Sequence, residues 1–127
     1  MRLLLDTNSL LWWLSGSSRL SAAACKKIAD ADSEVHVSAV SACEIAIKQA
    51  VGKLRGPDDL HLAIRENGFL ELPIVIRHGL ALANLPLHHR DPFDRILIAQ
   101  AQAERLTIVT ADRTFTSYGV SILDAAT

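Results

Sequence analysis

No apolar run in this chain approaches the roughly 18 residues that a membrane-spanning helix needs, although half of its 127 residues are hydrophobic. The apolar start, Leu3-Leu4-Leu5, is cut by Asp6 well before a secretory core would be complete, so it reads as a buried first strand. Cysteine is scarce. Cys25 and Cys43 have neither C-x-x-C spacing nor a nearby histidine pattern, so they read as buried free thiols, and the chain as cytoplasmic. An excess of positive charge is missing as well: 13 Lys and Arg against 14 Asp and Glu leave a net charge of −1. That balance removes the simple electrostatic argument for a nucleic-acid binder. There is no G-x-x-x-x-G-K-[ST] segment, which excludes a P-loop NTPase. Repeats, low-complexity tracts and linkers are absent too. Residues 1–127 therefore read as one domain, long enough to bury its own core.

What is present alternates between strand and helix throughout. Short strands are expected at residues 3–5, 35–38, 69–72, 107–110 and 120–123. Helices are expected at 9–14, 21–32, 41–51, 57–67, 77–83 and 92–104, the last with Ile96, Ile98, Ala99 and Ala103 as its apolar positions. Gly16, Gly52, Gly56-Pro57, Gly68, Pro73 and Pro86 punctuate them. Strands separated by helices predict an α/β fold, a parallel sheet with helices on both faces.

Four acidic residues stand out against that pattern. Asp6 ends the run LLLDTN, Glu44 lies in SAVSACEIAIK, Asp94 in RDPFDRILIA, and Asp112 follows LTIVTAD. In a parallel sheet the carboxyl ends of all strands share one edge, which is where ligands bind. Acids a hundred residues apart can therefore meet in one pocket. Two like charges about 4 Å apart repel by roughly 4 kcal/mol at an effective dielectric of 20, whereas a helix N-terminus offsets about 0.3–1 kcal/mol. Such a cluster needs a cation, and hard oxygen donors without cysteine point to Mg²⁺ or Mn²⁺.

Each acid also has a purely structural explanation. Asp6 suits the N-cap of the helix near Ser9. Ser41 and Glu44 spell a capping box, S-x-x-E. Asp91-Pro92-Phe93-Asp94 has a cap, a proline at the first helical position and an acid at the third. Asp112 suits the cap of a short turn before Phe115. Capping accounts for each acid singly; their joint placement is what favours a site.

The order of these motifs, LLLDTN, S-x-x-E-I, D-P-F-D-R and a late T-A-D-x-x-F, resembles a PIN-domain ribonuclease, most closely the VapC toxin branch of bacterial toxin–antitoxin pairs. The likeness covers almost the whole chain. It implies a PIN-like three-layer fold with a five-stranded parallel sheet, and a Mg²⁺- or Mn²⁺-dependent endoribonuclease site. In that likeness Asp6, Glu44 and Asp94 match the acidic core and Asp112 its less constant fourth acid. Thr7, Asn8 and Thr110 match polar positions beside it, while Ala111 stands where many relatives carry a polar residue. With the chain's charge balanced, attraction for RNA has to come from bound metal and a local set of basic residues. A cognate antitoxin is implied as partner, and the apolar helices carrying Trp12-Trp13 and Ile45–Ile47 lead us to expect a homodimer with a groove for an amphipathic antitoxin helix.

Other residues carry two readings each. Arg95 and Arg113, adjacent to site acids, are candidates for phosphate contacts or solvated charges. Lys48 stands four residues after Glu44, as a helical ion pair or a phosphate contact. His88-His89 lacks an H-E-x-x-H or cysteine partner and reads as loop before ligand, and Asp91 as a cap. Two other classes fit the chain less well. A receiver domain of a signalling protein would show paired acids after strand one and a late lysine, yet Asp6 stands alone and no lysine follows Lys53. A dehalogenase-like phosphatase would need D-x-D, and position 8 is Asn. A non-catalytic module of the same fold, binding RNA or protein, is the third alternative.

Overall fold

Leu3, Leu4 and Leu5 are wholly shielded from solvent. The strand they form, β1 (Arg2–Leu5), lies at the centre of the sheet in this computed structural model, which describes residues 1–127. A strand covered on both faces has no polar side, so three leucines run together instead of alternating. The sheet has five strands in the order β3-β2-β1-β4-β5, with β2 at Glu34–Ser38, β3 at Leu70–Leu72, β4 at Thr107–Thr110 and β5 at Ile122–Asp124. All four pairings are parallel. Parallel neighbours require crossovers. These are α1 (Thr7–Ser15) with α2 (Ala22–Ala29), then α3 (Ala39–Ala50) with α4 (Leu60–Glu66), then α5 (Ile76–Ala81) with α6 (Pro92–Glu104). A 3₁₀ turn at Arg113–Tyr118 joins β4 to β5.

Side chains that alternate along the strands divide the interior in two. Leu3, Leu5, Val35, Val37 and Val109 pack with Leu10 of α1, Ile28 of α2 and Ile64 of α4. Leu4 and Ile108 pack with Leu97 and Ile98 of α6 and with Phe115. The two clusters hold 13 and 10 buried residues, so both faces of the sheet are covered and the expected three-layer α/β fold is the one observed. After β3 the chain crosses back to set β4 on the other side of β1. The strand order reverses at β1 and β4, which opens a crevice beyond their carboxyl ends. No helix is long and apolar enough to cross a membrane.

Several boundaries differ from the sequence reading for local reasons. The helix expected at 41–51 begins at Ala39, because Ser38 both ends β2 and caps α3, its Oγ accepting the Val40 N–H at 3.0 Å. The Ser41–Glu44 capping box is therefore not formed: both residues lie inside the helix. The helix expected from 57 starts at Leu60, where the Asp59 carboxylate accepts the Leu62 N–H at 3.0 Å. The last strand starts at Ile122, two residues later than expected. The cysteines are free but not buried as expected; Cys25 is half-buried and Cys43 exposed. Trp12 and Trp13 both border the core, and the Trp13 indole N–H donates to Asn67 Oδ1 at 2.9 Å.

The buried and exposed apolar positions differ in what they contribute. We expect Leu4→Ala, which removes contacts from the centre of the sheet, to destabilise the protein by about 2–5 kcal/mol in urea unfolding. Ile76→Ala, at a position 82% exposed, is expected to change stability by no more than about 0.5 kcal/mol.

Candidate functional site

Each of the four acids reaches the carboxyl edge of the sheet by a different route. Asp6 is the first residue past β1 and caps α1, its Oδ1 accepting the Ser9 N–H at 2.8 Å. Asp112 follows β4 and caps the 3₁₀ turn, its Oδ1 accepting the Thr114 N–H at 2.9 Å. Asp94 arrives on a helix that precedes a strand: α6 runs back toward the start of β4, so its N-terminus lies at the opposite, carboxyl edge. Asp91 does the capping there, with Oδ1 accepting the Phe93 N–H at 2.9 Å and the Asp94 N–H at 3.3 Å, and Pro92 lacks an N–H to satisfy. Asp94 is thus relieved of a capping role. Glu44 projects from the interior of α3 and is also not a cap. Asp6 and Glu44 are both buried.

Buried hydroxyls and one amide lock these elements together. Ser9 Oγ donates to the Val109 carbonyl at 2.9 Å, tying α1 to β4. Thr7 Oγ1 donates to Ser41 Oγ at 3.0 Å, tying α1 to α3. Ser38 Oγ donates to Gln100 Oε1 at 2.5 Å, tying α3 to α6. Thr110 hydrogen-bonds Asp6, and its Oγ1 accepts the Asp112 N–H at 3.0 Å. The elements that carry Asp6, Glu44 and Asp94 are therefore tied to one another by buried polar contacts.

The cost of gathering these charges appears in their ionisation. Burial raises the Asp94 carboxyl to about 7, and the charges of Asp91, Asp6 and Glu44 push the same way against His89. Burial also raises Asp6, opposed by hydrogen bonds from Thr110 and Ser9 and reinforced by Glu44. At Asp112 burial acts upward too, but hydrogen bonds from Thr114 and His89 outweigh it and hold the carboxyl below its ordinary value. One oxygen, Glu44 Oε1, is buried without any hydrogen-bond partner. An orphaned buried carboxylate oxygen is costly in isolation and fits a cation-binding role. The ligand atoms that lie within reach of one another come from His89, Asp94 and Asp112; Asp6 and Glu44 are not in that group and act on Asp94 as neighbouring charges.

One cationic side chain and one imidazole enter the cluster. Lys48 Nζ sits 2.5 Å from Glu44 Oε2, a hydrogen bond that raises the ammonium, with Asp91 and Asp94 adding to it. The helical ion pair was visible in the spacing. His89 Nε2 lies 2.9 Å from Asp112 Oδ2 and 3.1 Å from Asp94 Oδ2. One ligand atom each from His89, Asp94 and Asp112 lies within 4.8 Å of the others. No spacing rule signals this, because the loop after α5 must fold back first. His88 stays outside, edge-on to Tyr118.

The sequence-read contact residues divide. Arg95 departs from the expected phosphate contact: its guanidinium donates to the carbonyls of Pro86 at 2.9 Å and of Leu82 and Leu85 at 3.3 Å, clamping the 82–89 loop. Arg113 remains exposed beside a cleft of about 280 Å³ lined by Thr110, Asp112, Thr116 and Asp124. Asn8 is exposed and borders a larger cleft of about 440 Å³ with Trp12, Arg19 and Arg55.

A parallel α/β sheet with acids at its carboxyl edge, two of them grouped with a histidine where a metal ion could bind, defines a class of protein. The PIN domain family model matches residues 3–120, and the chain belongs to that family. Among solved structures, VapBC2 from Rickettsia felis bound to a promoter DNA fragment is similar with a TM-score of 0.73 at 14% identity, covering 97% of this chain and 98% of that one. A toxin–antitoxin complex from Klebsiella pneumoniae gives 0.66 at 17% identity, covering 96% of each chain. FitAcB from Neisseria gonorrhoeae gives 0.63 at 19%, also covering 96% of each. No curated protein sequence matches the chain.

The raised Asp94 carboxyl makes the metal-free protein sensitive to pH. An acid that holds its proton to about 7 when folded but to 3.8 when unfolded stabilises the fold fully below pH 4. That contribution is lost as pH rises to about 7. In EDTA, melting temperature should fall between these values, and Asp94→Asn should flatten the fall. A difference between the two proteins that is independent of pH would contradict the assignment.

Proposed function

We propose that this protein is a Mg²⁺- or Mn²⁺-dependent endoribonuclease that acts in the cytoplasm, a VapC-type toxin restrained by a cognate antitoxin. The observation that carries the reading is the orphaned, buried Glu44 Oε1 within a cluster whose Asp94 keeps its proton to about 7. Lys48 occupies the other oxygen, so Oε1 is what remains open to a cation. Asp6, Glu44 and Asp94 would hold the ion, with Asp112 at the margin. When bound, a divalent ion lowers the pKa of a coordinated water and neutralises charge on phosphoryl oxygens.

The remaining work falls to the chain. The Asp6 carboxylate is fixed by the Ser9 N–H, and the cap at Asp91 holds the main chain of Asp94 in place while leaving its carboxylate free to turn to an ion. Lys48 supplies positive charge beside Glu44, where the substrate backbone would approach. Arg19 and Arg55, flanking the cleft beside Asn8 and Trp12, give an overall acidic chain a local basic lane for phosphates. Arg113 and Thr110 border the other side. The experiment is cleavage of a mixed cellular RNA pool with Mn²⁺. Asp94→Asn should lose at least about 100-fold in rate while keeping its fold. An Asp94→Asn protein as active as the wild type would refute the site.

The partner reading draws on the similar complexes from bacteria and on exposed apolar surface. Ile76, Leu80 and Leu87 are 82%, 70% and 73% exposed, and Ile47 and Val51 on and just after α3 are also open. We expect a homodimer whose apolar helix faces also receive an amphipathic antitoxin helix, with a basic antitoxin side chain reaching the acids. Light scattering on the isolated protein and co-expression with the neighbouring reading frame test this. A monomer that captures no neighbour-encoded protein and expresses without toxicity would remove the toxin reading and leave the nuclease reading intact.

A further inference from the structure

His89 is held from every side. Its main-chain N–H donates to Tyr118 Oη at 2.7 Å, and its carbonyl accepts from Arg95 Nη1 at 3.4 Å. Its ring stands edge-on to Phe115, with centroids 5.8 Å apart and planes at 83°. The decisive contact is at Nδ1, which accepts the Asp91 N–H at 3.1 Å. A nitrogen that accepts a hydrogen bond carries no proton, so the ring proton resides on Nε2, and Nε2 faces the acids as a donor.

We propose that His89 is a positioning residue whose Nε2–H holds Asp112 at the site, so that Asp112 serves the metal position through His89 and not as a direct ligand. This inference rests on the metal-dependent reading above. Both Asp112 oxygens already have donors, Oδ1 from Thr114 N–H at 2.9 Å and Oδ2 from His89 Nε2 at 2.9 Å. Asp94 differs. Its Oδ2 lies 3.1 Å from His89 Nε2 without a hydrogen bond, so the one Nε2 proton goes to Asp112. Asp94 can turn to an ion while Asp112 keeps the imidazole. The opposite arrangement, Nε2 on the metal, would put a proton on Nδ1 and set it against the Asp91 N–H. Two donors would then face each other at 3.1 Å. The same constellation explains why the fourth acid lies in a turn: the turn presents Asp112 to the His89 loop while Phe115 and Tyr118, three and six residues on, lock that loop.

The test has two arms on the full-length protein. In the first, histidine ring ¹H–¹⁵N correlation spectra of the wild type are recorded with and without saturating Mg²⁺. The proton is expected on Nε2 of His89 in both. Its transfer to Nδ1 on adding Mg²⁺ would overturn the proposal in favour of direct ligation. In the second, Mn²⁺ binding is measured by calorimetry for wild type, His89→Ala, Asp112→Ala and the double variant. His89→Gln, which can still donate, is included to separate lost donation from lost packing. Each alanine variant should bind Mn²⁺ about tenfold or more weakly. The double variant should be no worse than either single one, and His89→Gln should recover part of the loss. Losses that multiply in the double variant would show that Asp112 acts independently of His89, and the proposal would fall. A wild type that binds no Mn²⁺ while Nε2 keeps its proton refutes both the metal reading and the service of Asp112 to a metal, and upholds His89 as a donor.

Discussion

Everything at the carboxyl edge depends on holding like charges together without letting them relax apart. Asp6, Glu44 and Asp94 each feel the others' charge, and two of them are pushed toward their protonated forms. At an effective dielectric of 20 the repulsion of one close pair is about 4 kcal/mol, comparable to a large share of a domain's net stability. What resists it is a set of buried polar contacts: Ser9 on the Val109 carbonyl, Thr7 on Ser41, and Ser38 on Gln100. Each joins two elements that carry an acid or directly support one. A core of leucines alone would bring the elements together but would not fix their register at the strand ends.

The protein answers its own charge in part. Lys48 on Glu44 and His89 between Asp94 and Asp112 place one cationic or donor group on each side of the cluster. Glu44 Oε1 is left without a partner. The balance is incomplete in the direction that suits an incoming cation, and the incompleteness lies in the buried part, where water helps least.

Capping and chemistry are separable in this fold. Asp6 caps a helix and faces the cluster at once, while the helix of Asp94 is capped by Asp91. The apparent capping box of Ser41 and Glu44 dissolves because Ser38 starts the helix three residues earlier. Glu44 is then a buried acid with no capping duty, paired through one oxygen with Lys48 and open at the other. Arg95 moves the other way: next to a site acid in sequence, it turns to main-chain carbonyls and becomes the clamp of the loop that carries His89.

The chain's linear pattern determined the class of fold, because apolar periodicity and turn residues are local properties. The all-apolar β1, the alternation of strand and helix, and α6 at Pro92–Glu104 were legible for that reason. Asp6, Asp94 and Asp112 were legible as acids at or just inside a helix or turn start, whereas Glu44 lies in the interior of α3. Boundaries failed where one residue serves two elements, as Ser38 does, and burial failed at Cys43, whose helix exposes that face. The strand order, with β1 between β2 and β4, was decided by tertiary structure, and so were the buried ties among hydroxyls. The entry of His89 into the acidic cluster depends on Tyr118 and Arg95 folding its loop back, contacts made across 29 and 6 residues. No local preference encodes such pairings. They exist only once the sheet has brought distant turns to one edge.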